Sequence, residues 1–245
     1  MAKRPPPGTC VHCLKYSDTL TWDHVFPQAW NPDTTPPNLA KWKIPSCTRC
    51  NNDYSKLEED LLWRLGLSID PEDQKSLGIS NKVLRSTKPI YAKNKRDSKL
   101  RAAKLKRIVE QLMIFRSIPE KGLLPNFGPQ PNLRYDQYVT IPIDEETLVK
   151  LGQKIIKGIT YLFNKSFIDD QYTINVYLVE DHNAQEVVQT IEKYGVTHHR
   201  GPGVLVKYAM SNEGGLSSLW LIEIWGKLKL YGVVLRKPGA IQQTT

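Results

Sequence analysis

Four cysteines, by their spacing, constrain the first quarter of this chain more than any other feature. Cys10 and Cys13 form one C-x-x-C pair, and Cys47 and Cys50 form a second; there are no others. Each pair can turn two thiolates toward one ion, and two pairs complete a tetrahedral four-sulfur zinc site. Two disulfides are the competing use, disfavoured in a reducing cytosol. A cytoplasmic setting is expected because the basic start, Met1-Ala2-Lys3-Arg4-Pro5-Pro6-Pro7, has no apolar segment behind it. The 33 residues between the pairs exceed the ~15–20 of a simple zinc ribbon. A structural zinc would therefore close the base of a loop long enough to house a site.

Within that loop, residues 19–26 read as a strand with Leu20, Trp22 and Phe26 on one face. Residues 27–37 are loop by composition, and residues 39–44 suit a returning strand. After Cys50, Leu57, Leu61, Leu62 and Leu65 recur at helical spacing as far as Gly66. The order is knuckle, strand, loop, strand, knuckle, helix. Asp23 and His24 are adjacent on the first strand, so their side chains leave opposite faces. A shared task requires a local distortion or an approach from two sides.

Cys10-x-x-Cys13, Asp23-His24-Val25-Phe26-Pro27, Asn38-Leu39 and Cys47-x-x-Cys50-Asn51 with Lys56-Leu57-Glu58 together resemble the HNH endonucleases, in their zinc-bearing form with a ββα-metal core. The resemblance covers residues 8–66. It implies a metal-dependent DNA endonuclease in which His24 is the general base that activates water, a task suited to an imidazole at neutral pH. It also implies that Asp23 and Asn51 hold a divalent ion, that Asn38 holds the His24 segment through backbone hydrogen bonds, and that the four cysteines bind structural zinc. Asn51 stands where the family name has a second histidine. An amide oxygen there favours Mg²⁺ or Mn²⁺. Asn52 is a rival ligand. Taken singly these residues have plainer uses: a surface Asp-His pair, a turn asparagine, two helix caps.

The net charge is +9, and residues 81–121 alone carry 13 basic against three acidic residues. Such a block suits a polyanion, nucleic acid before any other; a solvated basic face is the plain alternative. Residues 80–95 read as a basic linker. From Asp97 a helix is expected, with Leu100, Leu105, Ile108, Val109, Leu112, Met113 and Phe115 as its apolar stripe, ending by Pro119. Arg101, Lys104, Lys106 and Arg107 in its first half are expected to contact DNA phosphates, which gives affinity without sequence information.

Residues 119–142 are rich in proline and glycine and read as a connection. Beyond them, Asp144-Glu145-Glu146 opens an amphipathic helix through Leu148, Leu151, Ile155, Ile159 and Leu162. Part of it, Lys154 to Tyr161, resembles a helix downstream of some bacterial HNH domains. Strands are expected at 172–179, 204–210, 219–225 and 227–235, the last two a hairpin through Gly226, with a helix at 183–194. The expected fold class is α+β in three units: a zinc-stapled ββα-metal nuclease core (1–70), a basic helical and Pro-rich connection (71–142), and an α+β domain with an antiparallel sheet (143–245). The last would support folding, position substrate, or offer a surface to a protein partner or a second copy. Glu180-Asp181-His182 and His198-His199 lack partner ligands nearby in sequence and read as incidental. No apolar run reaches the ~18–20 residues of a membrane helix, so no membrane partner is expected. Restriction or defence in a bacterium or phage fits by resemblance. Two other readings remain open: a zinc-ribbon nucleic-acid-binding module without catalysis, and a defence effector controlled by a partner.

Overall fold

A computed structural model describes residues 4–114, 124–127, 139–212 and 214–238. The short strands β1 (Gly8–Thr9) and β2 (Tyr16–Ser17) pair on either side of the first cysteine pair. β3 (Leu20–His24) then pairs antiparallel with β4 (Lys43–Cys47), Leu20 opposite Cys47 and His24 opposite Lys43. The returning strand begins later than the hydrophobic pattern suggests. Pro36 to Leu39 form a turn closed by the Leu39 N–H on the Pro36 carbonyl, and Val25 N–H bonds the Trp42 carbonyl before the ladder starts. α1 (Thr48–Gly66) leaves β4 without a loop, capped by Cys47, whose Sγ accepts the Cys50 N–H at 3.5 Å.

Residues 80–95 are largely helical, contrary to their reading as a linker. In α2 (Ile79–Thr87), Ile79, Val83 and Thr87 recur every four residues and form one buried face. That face meets α1 at Gly66, where a Cβ would lie 2.8 Å from Val83 Cγ2. A 3₁₀ turn, Pro89–Tyr91, leads to α3 (Lys95–Gln111), capped by Asn94. α3 stops at Gln111, earlier than expected, because β5 (Met113–Ile114) enters a two-strand ladder with β6 (Val139–Thr140). Its apolar stripe is mostly uncovered. Ile108 is buried, whereas Leu100, Leu105 and Val109 are exposed, since α3 leans chiefly on α2 and the 3₁₀ turn. Phe115, Pro119 and most of the 119–142 connection lie outside the described residues.

α4 (Glu145–Asn164), capped by Asp144, is the axle of the fold. Leu148, Leu151, Ile155, Ile156 and Ile159 are completely buried. On one side Gly158 brings the helix against the β3–β4 hairpin; a Cβ there would sit 2.8 Å from Val25 Cγ2 and 3.3 Å from Ile44 Cδ1. On the other side Gly152 meets Val176, again with 2.8 Å for a Cβ. Val176 belongs to β7 (Tyr172–Tyr177), the edge of a five-stranded sheet. After α5 (Gln185–Tyr194) the sheet is completed by β8 (Val196–His199), β9 (Val204–Met210), β10 (Ser218–Ile224) and β11 (Leu228–Arg236). Its order is β7-β11-β10-β9-β8, antiparallel throughout. The β10–β11 hairpin closes through Trp225 and Gly226, both with positive φ (54° and 68°). The fold is therefore α+β with an antiparallel five-stranded sheet. One apolar core runs from Val25, Ile44 and Leu61 through Ile155 to Trp225 and Val234, crossing the boundary expected near residue 143.

Candidate active site and metal centre

The two cysteine pairs converge. The ligand sulfurs of Cys10, Cys13, Cys47 and Cys50 all lie within 4.8 Å of one another, with Cys13 Sγ and Cys47 Sγ 3.9 Å apart. A tetrahedron with zinc–sulfur bonds of ~2.3 Å has edges of about 3.8 Å, so the four thiols stand close to the corners that a zinc ion would need. Among the described residues this is the one cluster of at least three His, Cys, Asp or Glu side chains close enough to share an ion. Burial pushes the Cys13 and Cys50 thiols up. Burial acts on Cys10 in the same sense, but the backbone N–H groups of Cys13, Cys47 and His12 outweigh it and bring that thiol down to about 7. Four thiols this close do not all ionise unaided, and a divalent cation is what suits them.

Beside the cluster, β3 and the start of α1 enclose a cleft of about 400 Å³. Asp23 and His24 form one wall, Asn51, Ser55 and Glu58 the other, and Gln28 borders the mouth. Asn51, Ser55 and Glu58 recur at helical spacing, so they share the α1 face turned to the cleft. The β3–β4 register is regular, with no bulge at the dipeptide. Asp23 and His24 reach one cleft because β3 ends there: Asp23 points inward, 4% exposed, and His24 is half-buried at the rim. Trp22 is 38% exposed, so the inward face carries Thr21 and Asp23 instead. Thr21 Oγ1 accepts the Asn51 Nδ2–H at 2.8 Å, a bond that uses the amide's donor and not its oxygen. Gln28 Nε2 donates to His24 Nε2 at 3.0 Å, marking Nε2 as the unprotonated, basic nitrogen. Burial, helped by the positive charge of Lys43, holds the His24 imidazole below its ordinary 6.5. It is therefore neutral at neutral pH.

Under the cleft lies a buried charge network that joins residues far apart in sequence and was not anticipated from it. Asp23 Oδ2 accepts from His12 Nε2 at 2.8 Å, and Asp23 Oδ1 accepts from Lys154 Nζ at 3.1 Å. Lys154, on α4, also donates to the His24 carbonyl at 2.7 Å and to Glu58 Oε1. It has no exposed surface. Burial raises the Glu58 carboxyl to about 7 against the pull of Lys154. Burial lowers the His12 imidazole against the pull of Asp23. The loop after His24 is pinned in turn by Trp30, whose Nε1 bonds the Glu58 carbonyl at 3.3 Å and whose carbonyl accepts from Trp225 Nε1 at 2.8 Å.

Of the residues expected in the site, Asp23, His24 and Asn51 come together. Asn52 is exposed and off the cleft lining, as is Asn38, which lies on the Pro36–Leu39 turn. The His24 segment is held instead by the Val25–Trp42 backbone bond and by Lys154. On α3, Arg101 is tied to Asp97 (3.1 Å) and the Arg85 carbonyl (2.6 Å), and Lys104 to Glu59 (2.8 Å). Lys106 and Arg107 are exposed. A second cavity of about 600 Å³, lined by Arg101, Lys104 and Arg107, shares Glu59 with the first. Elsewhere, Asp181 bonds Lys229 and the Tyr231 hydroxyl, and His198 stacks on Phe163 at 3.9 Å, so each dipeptide set aside in the sequence has a packing task. No helix among the described residues is long and apolar enough to cross a membrane. No protein-family model matches the chain, and the comparisons with curated proteins and with solved structures found no match.

Proposed function

We propose that the chain is a metal-dependent DNA endonuclease of HNH type. The observation that carries the reading is the convergence of Asp23, His24 and Asn51 on one cleft beside the four-thiol cluster. The β3–β4–α1 succession supports it, as does the family resemblance of residues 8–66. His24 takes the proton from the attacking water at Nε2, which its depressed basicity keeps unprotonated at neutral pH and which water reaches by displacing the Gln28 amide. Asn51 Oδ1 and the unengaged lone pairs of Asp23 are the groups that would hold Mg²⁺ or Mn²⁺. When bound, such an ion supplies Lewis-acid stabilisation of the leaving oxygen. Zinc on the four cysteines is structural, fixing the start of α1 and so Asn51. Exposed Lys106 and Arg107 hold backbone phosphates, with Arg101 and Lys104 lining the adjoining groove. Restriction or defence is the proposed setting.

One observation favours a second reading, a zinc-stapled DNA-binding module without catalysis: both Asp23 oxygens already carry a hydrogen bond from the protein. Plasmid cleavage by the purified chain with Mg²⁺, Mn²⁺ or EDTA, beside His24→Ala, decides between them. The expected result is metal-dependent cleavage that falls roughly 100–10,000-fold in the variant, the usual range for losing a general base, with zinc content and DNA binding kept. Binding without cleavage under any metal would establish the second reading.

A further inference from the structure

Lys154 stands out among the described residues. It is completely buried, and its partners are distant in sequence: 131 residues to Asp23, 130 to His24 and 96 to Glu58. An ammonium has three N–H donors. Here they meet three acceptors, Asp23 Oδ1, the His24 carbonyl and Glu58 Oε1, while the Tyr54 ring lies 5.4 Å from Nζ. Stability is a poor reason for such an arrangement. Replacing a buried ion pair by apolar side chains of similar volume is often neutral or stabilising, and Leu151, Ile155 and Ile156 near it on α4 are completely buried apolar residues.

Geometry supplies a better reason. β3 presents the Asp23 side chain inward and ends at His24, so the two groups of the site are set by the placing of one strand end. Lys154 grips both, the first by its carboxylate and the second by its backbone. It also holds Glu58, on the same α1 face as Asn51. From the other side His12, between Cys10 and Cys13, grips the second Asp23 oxygen, and Lys157 holds the His12 carbonyl at 3.0 Å. We propose that Lys154 is a positioning residue for the cleavage site, fixing the Asp23 carboxylate, the His24 backbone and the Asn51 face of α1 relative to one another from α4. This inference rests on the nuclease reading.

The experiment uses the full chain. Wild type, His24→Ala, Lys154→Met and Glu58→Gln are compared for kcat, for KM toward plasmid DNA, and for the Mg²⁺ concentration giving half-maximal rate. Thermal midpoint and zinc content are measured beside them. Outer partners that orient a metal ligand contribute roughly 10–100-fold to activity or metal affinity. Lys154→Met is therefore expected to lower kcat and raise the Mg²⁺ requirement within that range. KM should stay as it is, because the α3 phosphate contacts are untouched. Glu58→Gln, which keeps the cation and reduces one tether from an ion pair to a neutral hydrogen bond, is expected to shift the Mg²⁺ requirement in the same direction by less. A folded Lys154→Met enzyme with wild-type kcat and metal titration overturns the proposal. If that variant does not fold, an unchanged metal titration in Glu58→Gln overturns it instead. Wild type that fails to cleave under any metal removes the nuclease reading, and this proposal with it; that outcome is distinct because it appears before any Lys154 variant is examined.

Discussion

Replacing Glu58 by glutamine is expected to flatten one part of the pH dependence of stability. The carboxyl titrates near its ordinary 4.5 in the unfolded chain and is raised to about 7 in the fold, chiefly by burial. Between those values the native state binds a proton that the unfolded chain has released. Stability from this group is thus full below about 4.5 and is lost as the pH rises through 7. At 1.36 kcal/mol for each unit, the whole loss is roughly 3 kcal/mol, a large share of the 5–15 kcal/mol of an ordinary domain. Glutamine keeps the shape and does not titrate. Urea unfolding of both proteins from pH 5 to 8 measures the effect through the buried tryptophans Trp30, Trp63, Trp220 and Trp225. Subtracting one curve from the other cancels His12 and the zinc thiols, which titrate in both. The variant should gain on wild type as pH rises, by about 2.5 kcal/mol across that range, most of it below pH 7. A difference that stays flat, or runs the other way, would refute the claim that burial outweighs Lys154 at this carboxyl.

Zinc removal should cost more than any single side chain, since structural zinc sites bind with about 10–16 kcal/mol. Metal analysis is expected to find one zinc per chain, and Cys47→Ala to lose both the metal and the thermal midpoint; a zinc-free protein that melts as wild type contradicts the site. On α3, neutralising Lys106 or Arg107 should weaken DNA binding for all sequences alike and reduce the slope of log affinity against log salt by about 1 each. Lys104→Ala should do less, because its ammonium is already held by Glu59. Equal slopes for all three variants would move the phosphate contacts elsewhere.

The sequence carried the local parts of this structure well. C-x-x-C spacing brought four thiols together across 33 residues, and the leucines of α1 ended at Gly66 as their period required. α2 was concealed by its charge, since only Ile79, Val83 and Thr87 betray its buried face. The charge network was concealed by distance. Even so, Lys154 stands at helical spacing between Leu151 and Gly158, and Glu58 precedes Leu61, Leu62 and Leu65 by three, four and seven residues. A charge inside an apolar stripe must have a partner, and two such charges of opposite sign are a pairing signal. His12 leaves no comparable trace, because nothing in a knuckle sequence says where its middle residues point.

The wedging of α4 between the β3–β4 hairpin and the sheet has a consequence for the order of events during synthesis. Asp23 leaves the ribosome 131 residues ahead of Lys154. At 5–20 residues per second, roughly 10 s pass before the cation that completes its surroundings exists. Throughout that interval the nascent hairpin can bring its four thiols together but cannot assemble the finished cleft. The last part of the site to be made belongs to the other half of the chain, so a truncated product has the four cysteines without the geometry of the cleft.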